Sequence, residues 1–315
     1  MSGSRLVDGP LVLLDSASLW FRSFHALPES LTAPDGTPVN AVRGFTDTVA
    51  RILTDRRPRR FVACLDADWR PAFRVEALPS YKTHRVAEGS SDAEEVPDTL
   101  APQVEIILDV LAAAGLATSQ SAGHEADDVI GTWAAGERAD PVEIVTGDRD
   151  LFQLVRTEPT PTGVLYLGRG WAKAELFGPS EIAERYQLPV EIAGPAYEAM
   201  SVLRGDPSDG LPGVPGIGEK TAARLISTFG TVEELQAAAG AGDSRVPPRA
   251  RAALVDAGDY LARATRVVRV VRDAPLLTDR DSAVPDSPSD PERLVELGRR
   301  WGLRRSVDRL AAALR

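Results

Sequence analysis

Three short apolar runs in the first half of the chain end at aspartate. Asp15 follows Leu11-Val12-Leu13-Leu14 directly, and Asp66 follows Phe61-Val62-Ala63-Cys64-Leu65 directly. Asp148 and Asp150 follow Val142-Glu143-Ile144-Val145-Thr146 after one glycine. Short apolar runs bounded in this way read as buried strands, and Val164–Leu167 is a fourth candidate. Helical patterns at about 40–55, 98–114 and 125–137 lie between them. Strands separated by helices predict an α/β unit with a mostly parallel sheet flanked by helices. Ligands of such sheets sit outside the carboxyl ends of the strands, so these four aspartates should converge on one edge.

Each acid alone has a plain explanation. An aspartate after a strand is usually a turn or cap residue. Glu125, Asp127 and Asp128, at the start of the helix after Gly123-His124, could simply complement a helix dipole. Convergence changes the argument, because seven carboxylates at one sheet edge repel one another unless cations or protons neutralise them. Asp206 and Asp209, in the turn-rich LRGDPSDGLPG, form a further cluster. Hard divalent ions take oxygen ligands, and a pair of them can activate water and stabilise an in-line phosphoryl displacement. One cysteine, Cys64, and three histidines leave no room for a cysteine-built zinc site or an internal disulfide, so the composition suits Mg²⁺ or Mn²⁺.

The net charge of −10 is uneven. Residues 1–175 hold 26 acidic and 17 basic residues, against 20 and 19 in residues 176–315. An acidic surface repels nucleic acid, but bound cations invert that field. From about 176 the pattern is helical with no convincing strand, broken by Gly/Pro-rich 205–218 and Pro-rich 283–291. The expected division is 1–175 and 176–315. Residues 86–98 read as a mobile polar loop. Residues 245–272 carry seven Arg against two Asp, with Arg266, Arg269 and Arg272 on one face of a predicted helix. No apolar run approaches the ~20 residues of a membrane helix, and MSGSRLVDGP lacks the features of a secretory signal. A cytoplasmic, nucleoid-associated monomer is the expectation.

The strings LLDSASLWFRSFHA (13–26), LDAD (65–68), YKTHR (81–85), GHEADDVIGT (123–132), TGDRDLFQLV (146–155) and GDPSDGLPGVPGIGEKTA (205–222) occur in this order. Together they resemble the 5′-nuclease domain attached to bacterial DNA polymerase I and its relatives, the flap endonucleases and phage 5′-exonucleases, over about residues 11–240. The resemblance implies a PIN-like catalytic domain followed by a helical domain with a helix–three-turn–helix motif at about 198–240. It implies a structure-specific 5′-3′ exonuclease and 5′-flap endonuclease using two or more Mg²⁺ or Mn²⁺ ions. Asp15, Asp66, Glu125 and Asp127 match ligands of a first metal, supported by Asp128 and Asp148. Asp150 and Asp209 match ligands of a second, with Asp206 beside them. Lys82 and Arg85 match positions that begin a helical gateway and neutralise the scissile phosphate, Tyr81 one that stacks on the terminal unpaired base, and Arg22 another phosphate contact.

Gly213-Val214-Pro215-Gly216-Ile217-Gly218-Glu219-Lys220-Thr221 is not a P-loop, because Glu219 separates the last glycine from the lysine and no strand precedes it. It reads as a Gly-rich hairpin whose second helix presents its N-terminus to a duplex phosphate. Lys220 and Thr221 would add contacts, and in the family a K⁺ ion often bridges such a hairpin to DNA. The implied partners are DNA with 5′ flaps, nicks, gaps or 5′ ends, RNA–DNA hybrid, and a functional link to a DNA polymerase and ligase. No polymerase or proofreading region follows residue 315, which suggests a free-standing nuclease. Two departures stand out: Pro207-Ser208-Asp209-Gly210 replaces the commoner Ser-Ser-Asp-Asn, and the 86–98 segment is acidic where a DNA gateway would be basic. The alternatives are a PIN-type ribonuclease on structured RNA, which would lack the 213–222 hairpin, and a catalytically silent DNA-binding protein, which would have lost carboxylates. An aspartate-nucleophile phosphatase needs an Asp-x-Asp that Asp15-Ser16-Ala17 does not supply.

Overall fold

The computed structural model describes residues 9–91 and 93–314. Its sheet comprises β1 (Leu11–Asp15), β2 (Arg60–Cys64), β3 (Ala117–Gln120), β4 (Val142–Thr146), β5 (Thr162–Tyr166), β6 (Glu175–Phe177) and β7 (Leu277–Thr278). The spatial order is β6-β5-β4-β1-β2-β3-β7. The five central strands are parallel to one another, and the two edge strands are antiparallel to their neighbours. The helices of the first half are α1 (Ser16–Ala26), α2 (Asn40–Arg56), α3 (Ala72–Ala77), α4 (Ala101–Ala114) and α5 (Ala126–Gly136). Those that follow are α6 (Pro179–Tyr186), α7 (Ala193–Arg204), α8 (Glu219–Phe229), α9 (Val232–Gly240), α10 (Pro248–Asp256), α11 (Gly258–Val268), α12 (Pro291–Arg300) and α13 (Arg304–Ala313). None of the described helices is long and apolar enough to cross a membrane.

The two-residue period of a strand sorts the core into two layers. Leu11 and Leu13 face one core with Val62, Cys64 and Ile144, which continues into α5, α7, α8 and α11. Val12 and Leu14 face the other, with Phe61, Ala63 and Val145, closed by α2, α4, α12 and α13. A sheet covered on both faces explains why these strands read as unbroken apolar runs.

The four strands expected from sequence all form. Three others were not expected: β3 lacks an apolar run, β6 has three residues, and β7 has two with Leu277 65% exposed. The second half therefore does return a strand to the sheet. The helical gateway after Tyr81 does not form. Among the described residues only a single 3₁₀ turn, Thr83–Arg85, separates α3 from α4. The Val86–Glu94 bridge and the Glu95 N–H donation to the Arg85 carbonyl then fold the segment into a loop. Gly89, Ser90, Ser91 and Pro97 are poor helix formers, consistent with that outcome. Arg269 and Arg272 also leave the predicted helix, because α11 ends at Val268.

Beyond α11 the chain forms an extended strap that crosses the first half. Arg74 Nε donates to the Val267 carbonyl at 3.0 Å, and Gln153 Nε2 to that of Val268 at 3.0 Å. In return the Val270 N–H donates to Gln153 Oε1, and the Val271 N–H to Asp128 Oδ1. Gly131 permits this contact: a Cβ there would lie 2.6 Å from the Val271 carbonyl oxygen.

At the opposite sheet edge, Glu137 closes α5. Its Oε1 accepts from the N–H groups of Arg138, Ala139 and Asp140, and its Oε2 from Arg60. Burial works against the carboxylate, but these donors prevail and hold its pKa down at about 2. A depressed pKa gives stability that is present above the ordinary value of 4.5 and lost as pH falls through about 2. Glu137→Gln should cost about 2–3 kcal/mol in urea unfolding at pH 7. By pH 3 the difference from wild type should shrink to roughly half or less; a gap independent of pH would contradict this account.

Candidate active site

The parallel register brings the strand-end acids together. Asp15, the last residue of β1, is 5% exposed, with Oδ1 accepting from the Ser18 N–H at 3.0 Å and Oδ2 from Thr146 Oγ1 at 2.6 Å. Asp66 lies past the end of β2 and accepts from the Ala126 N–H at 2.6 Å, at the N-terminus of α5. Asp148 follows β4, and its Oδ1 accepts from the Asp150 N–H at 2.9 Å. Asp127, Asp150, Asp206 and Asp209 line one narrow cleft with Arg74, Tyr81 and Ser201. Asp206 and Asp209 reach it because α7 ends at Arg204 and Pro207–Asp209 then turn back in a 3₁₀ turn.

Burial and mutual repulsion raise the proton affinity of these acids. Burial, opposed by Thr146 and Ser18 and reinforced by Asp148, pushes Asp15 to about 6. Burial with the charges of Glu125 and Asp15 pushes Asp66 to about 7. Asp209 stands at about 6, chiefly from burial, with Lys82 pulling the other way. Asp127 and Asp150 are raised by burial and by neighbouring aspartates.

Three basic side chains offset part of this charge. Burial disfavours the Lys82 ammonium, but Glu125 and Asp209 outweigh it and hold its pKa above the usual lysine value. Lys82 donates to Glu125, and its backbone sits in the left-handed region at φ 48°, which costs a non-glycine residue of order 1 kcal/mol. Arg85 pairs with Asp209 at 3.2 Å. Arg22 lies so close over Gly147 that a Cβ there would be 2.8 Å from its Nη2. The Arg22 Nε is buried with no hydrogen-bond partner among the described residues, a donor in need of an acceptor.

Two residues stand otherwise than expected. Tyr81 is 4% exposed, its ring in the core beside Ala77 and Leu78 and its hydroxyl donating to Glu125 Oε2 at 2.8 Å. It presents no face for a base to stack on, because Glu125 draws the hydroxyl inward. Asp128 points away from its neighbour Asp127. It is fully buried, takes two bonds from Arg74 at 2.7 and 2.8 Å, and accepts from Val271. Arg74, which also donates to Glu125, escaped the sequence reading: its acidic partners lie 51 and 54 positions away, and no local spacing marks it.

Among the described residues no group of three or more carboxylate, His or Cys side chains stands arranged to hold an ion. The donor set nevertheless fits one. It is all oxygen, crowded, buried, and short of positive charge, which suits a hard divalent cation.

Gly213, Gly216 and Gly218 lie in the connection from α7 to α8, past Asp206 and Asp209, and Lys220 and Thr221 open α8. Gly213 (φ +71°) is required: a Cβ would lie 2.2 Å from the Arg204 carbonyl oxygen. Gly216 and Gly218 have nothing within 4 Å of a Cβ position, so they form a bare surface. Lys220 and Thr221, in the first turn of α8, share a 430 Å³ groove with Gln187, Arg224 and Ser227.

Residues 10–187 match the family described as 5′-3′ exonuclease, N-terminal resolvase-like domain, and residues 193–290 match 5′-3′ exonuclease, C-terminal SAM fold. A 5′-3′ exonuclease of Mycobacterium tuberculosis is 55% identical over 310 residues, covering 97% of this chain and 98% of that protein. The DNA polymerase I of the same organism is 38% identical over 275 residues, covering 86% of this chain but 28% of the polymerase. The fold resembles that of T5 5′-exonuclease, solved with divalent zinc ions, with a TM-score of 0.63 at 17% identity, covering 96% of this chain and 97% of that one. Carboxylates gathered from three parallel strand ends, a glycine-rich connection following Asp206 and Asp209, matching family models over both halves and a relative that matches nearly end to end place the chain in the 5′-3′ exonuclease family.

Proposed function

We propose that this chain is a divalent-metal-dependent, structure-specific nuclease that hydrolyses DNA phosphodiesters at 5′ ends, flaps, nicks and gaps. The observation that carries the reading is the cleft where Asp127, Asp150, Asp206 and Asp209 meet beneath Lys82, Arg85 and Arg22. Asp15, Asp66, Asp127, Asp148, Asp150 and Asp209 would hold Mg²⁺ or Mn²⁺, with Glu125 and Asp206 beside them. When bound, such ions activate water and stabilise both oxygens of an in-line displacement. Asp128 acts at one remove, fixing Arg74 and through it Glu125. Lys82 and Arg85 neutralise the phosphate as charge builds on it, and Arg22 supplies its unpartnered Nε to a neighbouring phosphate. The 213–221 hairpin would hold the downstream duplex by its backbone, so selection is by shape, and its carbonyls would be the ligands of a K⁺ ion if one binds there. The first 175 residues, joined by Asp206 and Asp209, carry the chemistry, and the rest of the chain the duplex grip. RNA of an RNA–DNA hybrid is a further substrate under this reading, and primer removal beside a polymerase and ligase is the matching role.

A 5′-labelled double-flap DNA tests this with Mg²⁺ or Mn²⁺ against EDTA. Cutting near the flap junction should require the metal and fall by about 10³-fold or more in Asp148→Asn. Flap binding without cutting in either metal would overturn the proposal, and hydrolysis of structured RNA but not DNA would favour a PIN-type ribonuclease.

A further inference from the structure

We propose that Glu88, Glu94 and Glu95, in the loop after Arg85, determine specificity by repelling long single-stranded 5′ flaps. Very short flaps and recessed 5′ ends are then the preferred substrates. Residues 86–98 carry five acidic residues and no basic one. The backbone fastens this loop beside the cleft. Val86 and Glu94 form an antiparallel bridge, the Ala87 N–H donates to the Ala93 carbonyl at 2.9 Å, and the Glu95 N–H donates to the Arg85 carbonyl at 2.7 Å. Just upstream, the Lys82 N–H donates to the Asp209 carbonyl and Ser80 Oγ to that of Gly210. The whole segment is thereby tied to the turn that brings Asp206 and Asp209 to the site, and Glu94 returns beside Lys82 and Arg85. Burial raises the proton affinity of Glu94, and the charges of Lys82 and Arg85 oppose that rise.

None of the Glu88, Glu94 and Glu95 carboxylates has a hydrogen bond or ion pair among the described residues. Arg85, the base closest to them in sequence, pairs with Asp209 instead, at 3.2 Å. Acids that steady a loop answer its own donors; these answer none, so their charge is left to act on whatever occupies the cleft beside them. A phosphate held by Lys82 and Arg85 is common to every substrate, and its repulsion falls on all alike. What differs is the strand on its 5′ side. Phosphate charges follow one another at about 3.4 Å along a duplex strand, and a charge is felt over roughly 10 Å at 0.1 M salt. A minimal flap adds one phosphate to that field, whereas a long one carries several past the three acids. Surfaces that guide a single strand are basic. This one has the opposite sign, and an unpaired like charge set against one class of ligand is a means of rejecting it.

The inference rests on the nuclease reading, and the test separates the two. Double-flap DNAs with a 5′ arm of a single nucleotide or of about twenty are cut under single turnover in Mg²⁺, and bound in EDTA by fluorescence anisotropy, across a salt series. Wild type should cut the short arm about tenfold faster than the long one at low salt, and the ratio should narrow as salt screens the repulsion. In Glu88→Gln/Glu94→Gln/Glu95→Gln the ratio should fall about tenfold and lose its salt dependence. The change should come from faster cutting and tighter binding of the long arm, with short-arm values within about twofold of wild type. Glu94→Lys alone should move the ratio in the same direction. Thermal stability should hold, because the three side chains have no partners to lose. Equal cutting of both arms by wild type, an unchanged ratio in the variants, or a rise for both arms alike would overturn the inference. A wild type that cuts neither arm in Mg²⁺ or Mn²⁺ would instead sink the nuclease reading.

Discussion

Lys82→Met should lower single-turnover cleavage of a 5′-flap DNA by about 10²–10³-fold while changing Kd by less than about fivefold. The asymmetry follows from where the ammonium sits. It is nearly enclosed between Glu125 and Asp209, which hold its pKa above the usual value despite burial. It is therefore charged throughout the working pH range, and no limb of a pH–rate profile belongs to it. A charge already desolvated and fixed by its surroundings interacts most strongly with the extra negative charge of a transition state. Glu125 keeps Arg74 and Tyr81 as donors in the variant, so the fold should survive. A loss under tenfold would remove Lys82 from the chemistry.

Arg74→Met should be the most damaging change to stability, at about 3–5 kcal/mol by urea unfolding. The guanidinium is 2% exposed and answers two buried carboxylates, Glu125 and Asp128. Removing it strands both, and the Val267 carbonyl loses its donor. Combining Arg74→Met with Asp128→Leu should recover at least half of the loss, because one stranded charge goes too. Cleavage should stay low in the double variant, since Glu125 still lacks the donor that aims it. Full recovery of cutting would show that Arg74 serves stability alone.

Much of the fold was legible because the central strands are buried on both faces. Double burial writes an apolar run into the sequence, and the acid at its end marks the functional edge. The strand Ala117–Gln120 was not legible, since three of its four residues are polar and only half its side chains meet the core. The acids themselves were readable, but not which way each one turns. Asp127 and Asp128 are adjacent in EADD, and a helix separates neighbours by about 100°. One therefore faces the cleft and the other faces Arg74, a distinction set by a partner more than fifty residues away. Tyr81 misled for the same reason: an aromatic in a basic patch reads as a stacking platform until a buried carboxylate claims its hydroxyl.

The strap that crosses from α11 has a consequence for modularity. Arg74, Asp128 and Gln153, all within the first half, find acceptors or donors in residues 267–271. A fragment ending before α6 would keep every strand-end aspartate but would expose the far side of the Arg74–Asp128 pair to water. The acids alone are thus not a transplantable unit. Insertions tolerated in the α8–α10 region would have to preserve the spacing that returns the strap, and a lineage could lengthen the molecule at its periphery more easily than divide it in the middle.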